Sequence, residues 1–293
     1  MATLRTADQR ASIGRTEHLE AALSWLRRLL LWHIAWTRHT YGSLADDSYR
    51  GLYVPSAEVD ILGEDEPALP PELASERDAL AAQRDEIEVQ TVAAERAGVD
   101  LPLRRLARWF ELSPFEADVL LLALAPELDL RFERIYAYIQ DDVSRRRPSV
   151  ELALRLLCPS PAARMQRQAL FEHDAPLLRH RLVQLFEDGQ RRPPLLARFI
   201  KLDERILAEL RGGPAPIDPP IAPFVTLSMP VRSLESLVLP AELRERLRRT
   251  GGGAVLALQG GPGSGRRALA EALCAEEGAP LLSVDVARLA DRL

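Results

Sequence analysis

Apolar residues recur at helical spacing up to about residue 180, strand spacing takes over across 181–202, and a glycine-rich loop occupies 260–267. Together these predict a mainly α-helical N-terminal region with a winged-helix (α+β) module, followed by the start of an α/β domain built on a phosphate loop. A chain of 293 residues has room for about two domains. Four segments are expected. Residues 1–65 form a helical region with an aromatic loop, and 66–211 a helical and winged-helix module. Residues 212–250 are a proline-rich linker and lead-in, and 251–293 the partial phosphate-loop domain.

Composition narrows the function classes. A hydrophobic content of 47% with 28% charged residues describes a soluble globular protein. The net charge of −5 argues against a dedicated nucleic-acid binder. Two cysteines, Cys158 and Cys274, cannot make a disulfide framework or a zinc spacing, and both read as small buried thiols. The first residues mix Arg5, Asp8 and Arg10 without an apolar core, so no secretory signal is read and a cytoplasmic protein is expected.

Residues 1–14 are expected to be poorly ordered. Thr16 to Thr40 reads as one helix, with Leu19, Leu23, Leu26, Leu30 and Ile34 in register and Trp25, Trp32 and Trp36 beside them. Arg27, Arg28 and His33 interrupt it, far short of the roughly 20 apolar residues a membrane span needs. His33 reads as a partly buried helix histidine rather than a ligand. The tryptophan and leucine face packs on a neighbouring helix or, alternatively, on a partner. Tyr41 to Gly63 is expected to be a loop anchored by Tyr41, Tyr49 and Tyr53. Pro71 suits the opening of a helix running to about Arg96 and ended by Gly98. Its Leu73, Leu80, Ile87 and Ala94 are seven apart, and antiparallel pairing with the first helix is the favoured arrangement.

Shorter helices follow. Leu103, Leu106 and Phe110 mark the first. Ser113-Pro114-Phe115-Glu116 is a capping box that opens the second, which runs to Pro126. A third spans about Leu128 to Ile139 with Phe132, Ile135 and Tyr136 inward. Ser149 caps a fourth, and Ser160-Pro161 starts another. Arg181–Phe186 and Leu195–Leu202 read as strands around the turn Glu187-Asp188-Gly189-Gln190, and Asp203 caps a last helix ended by Gly212-Gly213. Helices followed by a hairpin describe a winged-helix module. Arg145, Arg146 and Arg147 could contact nucleic-acid phosphates, but a solvated turn paired with Asp141 and Asp142 suits the acidic chain better. Leu185-Phe186-Glu187-Asp188 looks like a strand that delivers acids to a metal, and is read instead as the wing turn.

Five prolines between Pro214 and Pro223 make a stiff linker. A short strand over Val225–Met229 and a helix over Ala241–Arg249 lead to Val255–Gln259, read as the strand before the phosphate loop. Gly260-Gly261-Pro262-Gly263-Ser264-Gly265 then lets the backbone curl so that N–H groups face an anion, with a helix N-terminus behind. Arg266 and Arg267 stand where a lysine and a Ser or Thr normally serve the phosphates and Mg²⁺. Arg266 still supplies charge. Arg267 has no acceptor for a cation and would take the metal's place as a positive charge, which puts Mg²⁺ in doubt. Leu281–Val286 is expected to be a second, parallel strand. No later strand with an acid for Mg²⁺ follows before Leu293, so no catalytic residue is assigned and a truncated chain is expected.

The order of these modules, with Tyr49-Arg50-Gly51-Leu52-Tyr53, Phe110–Glu116, Asp141–Pro148, Leu237-Val238-Leu239-Pro240 and the loop Gly260–Arg267, resembles bacterial AAA+ family ATPases with an N-terminal winged-helix domain, some encoded with contractile injection systems. The resemblance implies a P-loop NTPase that binds ATP, remodels protein partners through its N-terminal modules, and forms a homo-oligomer. It carries phosphate contacts over to Gly260, Gly261, Pro262, Gly263, Ser264 and Gly265. At Arg266 and Arg267 the chain departs from the family's Lys and Ser/Thr. A non-hydrolysing winged-helix adaptor with a vestigial phosphate loop stays open beside this reading, and a DNA regulator is disfavoured by charge.

Overall fold

The computed structural model describes residues 13–46, 53–64, 67–187, 193–213, 217–218, 220–249 and 255–290. The expectations for residues 1–12, Tyr49–Leu52, the turn residues Asp188–Gln190 and Gly251–Gly253 fall outside these. The chain forms two compact units, residues 1–215 and 216–293.

The first unit is mostly helical. Helices α1 (Arg15–Tyr41) and α3 (Pro71–Arg96) pack along each other. Trp25 Nε1 donates to Leu80 O at 3.2 Å and Trp32 Nε1 to Leu73 O at 2.8 Å, so the partner number falls as the donor number rises and the pair is antiparallel, as expected. The sevenfold row of α3 is the contact face: Leu80, Ile87 and Ala94 are buried. Between them the helix α2 (Ser56–Gly63) replaces the expected loop. Pro55 sits at its N-cap, and Pro55 O accepts from the N–H groups of Glu58 and Val59. Tyr53 is 52% exposed.

Before the hairpin come α4 (Pro102–Trp109), α5 (Pro114–Leu128), α6 (Arg131–Ile139), α7 (Val150–Leu157), α8 (Pro161–Arg167) and α9 (Pro176–Arg179). The capping box is formed: Ser113 N–H donates to Glu116 Oε2 at 2.8 Å and Glu116 N–H to Ser113 Oγ at 3.3 Å. Helix α5 is buried nearly all round, with Val119 to Ala125 all inside. It therefore needs no polar face, and α1, α4, α6 and α7 surround it.

One hydrogen bond explains a proline in that core helix. Pro126 lies inside α5 and has no N–H to give Leu122 O, four residues back. The Tyr136 hydroxyl, fully buried on α6, donates to Leu122 O at 2.8 Å and fills the gap. Tyr136→Phe should therefore cost about 1–3 kcal/mol, the range for a buried group left unpaired. Adding Pro126→Ala restores an N–H to that carbonyl, and the cost of Tyr136→Phe should shrink in the double-mutant cycle measured by chemical denaturation. Equal costs in both backgrounds would refute the assignment.

The hairpin follows. Strands β1 (Val183–Phe186) and β2 (Phe199–Leu202) pair antiparallel, Val183 opposite Leu202. The second strand is shorter than expected: Leu195–Ala197 make a 3-10 turn in which Ala197 N–H reaches Pro194 O at 3.0 Å. The other edge of β2 is also taken. Ile200 N–H donates to Pro148 O at 2.8 Å and Val150 N–H to Arg198 O at 3.0 Å, so the lead-in to α7 acts as a third strand segment. Asp203 caps α10 (Glu204–Arg211), which ends on Gly212 in the left-handed conformation. Side chains from α1, α3, α5, α6, α7 and the hairpin share one buried cluster, including Leu26, Leu80, Leu121, Leu154, Val183 and Ile200.

The second unit holds β3 (Val225–Ser228), α11 (Ala241–Arg249), α12 (Arg266–Glu276), β4 (Leu281–Val284) and α13 (Val286–Ala290). Its core is small: Leu234, Leu247 and Ala272, with Leu237, Leu239, Leu269 and Leu273 against them. Two expectations are corrected here. Val255–Gln259 does not form a strand, and β4 pairs antiparallel with β3, Val225 opposite Val284, rather than parallel to 255–259. A central parallel strand needs neighbours on its edges and cover on its faces. Val255 is 99% exposed, and among the described residues nothing supplies either.

Candidate functional site

The expected phosphate loop is an exposed turn that feeds a helix. Gly263 and Gly265 adopt φ of 79° and 82°, a conformation that side chains other than glycine rarely take. Gly265 is the N-cap of α12 and has no side chain to occupy the first N–H groups of the helix. A Cβ on Gly261, Gly263 or Gly265 would meet nothing within 4 Å, so nothing packs against the loop at these three glycines. At Gly260 a Cβ would lie 2.5 Å from Ser264 Oγ, so the loop closes tightly there. Ser264 N–H donates to Gly261 O at 3.2 Å and is used within the turn. The N–H groups at the start of α12 are thus the donors that remain for an anion.

The two arginines differ. Arg266 starts α12 on the exposed side of the loop. Arg267 Nε is 3.1 Å from Glu271 Oε1, one turn along the helix, with the arginine side chain 71% exposed. Glu271 also lies 4.0 Å from Arg232 Nε. The helix start carries positive charge from two side chains as well as from its own dipole, and offers no oxygen to a cation from Arg266 or Arg267. No group of three or more His, Cys, Asp or Glu suited to a metal is found among the described residues.

In the first unit, Arg145 pairs with Asp142 at 3.5 Å and lies over the Phe199 ring at 5.8 Å. Arg147 pairs with Glu127 at 2.9 Å. Glu187, at the end of β1, pairs with Arg198 at 3.5 Å across the hairpin. The acid of the strand-like run Leu185–Glu187 is therefore a hairpin pair, not a loop ligand. Cys158 is buried and Cys274 half-buried, and both are free thiols. No helix among the described residues is long and apolar enough to cross a membrane.

The surroundings of His33 were not legible in the sequence. His33 is 5% exposed, and its Nε2 has no hydrogen-bond partner among the described residues. Burial, with Arg155 and Arg164 nearby, holds its imidazole down at about 3, so it is neutral. The arginines sit more than a hundred residues downstream, which local spacing does not reveal.

In the second half of the first unit, α5 and α6 are followed by a bridging strand segment, α7, α8, α9 and a β-hairpin. A family model described as winged helix domain, variant, matches residues 14–224. The chain belongs to this winged helix domain family. No curated protein and no solved structure matches the chain. The winged helix match begins one residue before α1, which agrees with the single core shared by the α1/α3 pair and the hairpin. Within this winged helix domain the segment before the hairpin, α9, is a single turn of four residues.

Proposed function

We propose that this winged helix protein is the N-terminal part of an AAA+ family ATPase. Its winged helix unit serves as a docking module for a protein partner, and the loop Gly260–Arg267 holds the phosphates of ATP. The observation that carries the reading is the loop itself: left-handed Gly263 and Gly265 run directly into the N-terminus of α12, which no side chain caps. Arg266 supplies charge to the phosphates. Arg267 supplies charge where a Mg²⁺ ligand would stand, so binding is expected to be independent of Mg²⁺. Ring assembly and partner remodelling belong to this reading through the family resemblance. Net charge of −5 and the short α9 favour a protein partner over DNA.

Titration with a fluorescent ATP analogue tests it. The wild-type protein should bind equally, within about threefold, with and without Mg²⁺. Arg266→Lys with Arg267→Thr should create a Mg²⁺-dependent gain of about tenfold, since a Thr hydroxyl can ligate the metal and a Lys can reach the phosphates. A specific observation favours a second reading, a non-hydrolysing adaptor with a vestigial loop. Arg267 is already committed to Glu271 within its own helix. Absence of binding by both the wild type and the double variant would leave the adaptor reading.

A further inference from the structure

The phosphate loop has a competitor built into its own helix. Arg266 and Arg267 stand in the first turn of α12, and no acid shares that turn with them. A cation at this end of a helix faces the positive pole of the dipole and is disfavoured until an anion joins it. Arg267 is meanwhile held elsewhere. Its Nε donates to Glu271 Oε1 at 3.1 Å, four residues further along the helix and away from the loop. This is the weaker order for such a pair, since an acid ahead of a base suits the dipole better than the reverse. The arginine side chain is 71% exposed, so the pair is weak and opens readily.

Glu271 is the better fixed member. Its side chain is 26% exposed, and its second oxygen, Oε2, lies 4.0 Å from Arg232 Nε. Arg232 comes from the segment before the 3-10 turn Leu234–Ser236, which packs on α12. One carboxylate thus serves two guanidiniums, one on each oxygen. When Arg267 leaves, Arg232 still compensates the charge of Glu271. Phosphate oxygens at the start of α12 offer Arg267 a more highly charged partner than a single carboxylate. We infer that Glu271 is a positioning residue for the phosphate loop. It holds Arg267 back along α12 while the loop is empty and yields it to the phosphates of a bound nucleotide, Arg232 then keeping the carboxylate. Glu271 thereby sets the affinity of the loop below what the two arginines alone would give. The inference rests on the nucleotide-binding reading of Gly260–Arg267.

The full chain is titrated with the fluorescent ATP analogue without Mg²⁺, as wild type, Glu271→Gln, Arg267→Gln and the double variant, with thermal unfolding of each followed in parallel. Glu271→Gln should bind about two- to fivefold tighter than the wild type, the weight of an exposed ion pair. Arg267→Gln, which leaves Arg266 and the helix N-terminus in place, should bind severalfold more weakly, and adding Glu271→Gln to it should then change nothing. A merely structural role for Glu271 would lower the thermal transition and would not make the gain depend on Arg267. An equal gain in both backgrounds would overturn the inference, because removal of any negative charge near a polyanion would then suffice. An unchanged or weakened affinity in Glu271→Gln would overturn it too. In both cases binding by the wild type would leave the nucleotide reading standing, whereas no binding by any of the four proteins would bring down both.

Discussion

Leu26→Ala should lower the unfolding free energy of the winged helix unit by about 2–5 kcal/mol, the range for truncating a fully buried leucine. Leu26 is 0% exposed and belongs to the same buried cluster as Leu121 in α5 and Val183 and Ile200 in the hairpin. Because that cluster is continuous, the loss should not stay local. Amide hydrogen exchange in β1 and β2, far along the chain from residue 26, should speed up by an amount that reports the same free energy. A mutant in which α1 loosens while Leu185 and Ile200 keep full protection would mean that α1 and α3 form a separate module. The prediction thus tests whether the long helical pair is part of the winged helix domain energetically, as its position inside the family match indicates.

What could be read from sequence follows from how local the determining physics is. The capping box at Ser113, the prolines at 71, 114 and 161, and Asp203 before α10 act within one helical turn, and each marks a helix start that the structure reproduces. The row Leu80, Ile87 and Ala94 reported the face of α3, because burial repeats with the helix. Pairing partners are not local. Leu281–Val284 has strand character, but nothing in its own sequence states that Val225–Ser228 would lie beside it in the opposite direction. Val255–Gln259 was equally apolar and pairs with no strand among the described residues. The helix over residues 56–63 was hidden because it is only eight residues long and none of them is buried, so tertiary packing gives it no marked face. At the candidate site the glycines of the loop were legible as residues that let the backbone curl, but which of them, Gly263 and Gly265, adopt positive φ was not. The ion pair of Arg267 with Glu271 was visible as an i,i+4 spacing but was not drawn. The Tyr136 bond to Leu122 and the arginines around His33 link distant stretches, and only folding brings them together.

The buried His33 and the half-buried Asp118 should shift stability in opposite directions between about pH 6 and pH 4, and single substitutions should expose each. Burial, helped by Arg155 and Arg164, lowers His33 from 6.5 to about 3. Over that interval the unfolded chain binds a proton that the folded chain does not, so stability falls as pH falls, by about 3 kcal/mol between pH 6.5 and about pH 4. Asp118 behaves the other way. Burial raises it from 3.8 to about 6, although its ion pair with Arg84 pulls it down. The folded chain then binds a proton that the unfolded chain lacks, and stability rises by about 3 kcal/mol as pH falls through that window. The wild type should therefore show a nearly flat profile from these two groups. His33→Leu should become more stable on acidification across this range, and Asp118→Asn should become less stable. Slopes from denaturant unfolding at a series of pH values are compared, rather than absolute stabilities, because Asp118→Asn also weakens the pairing of Arg84. His18, lowered by burial and then by Arg84 and Arg104, adds to the acid loss in all three proteins and so largely cancels in the comparison. Three parallel profiles would mean that neither His33 nor Asp118 is held in the buried environment described here.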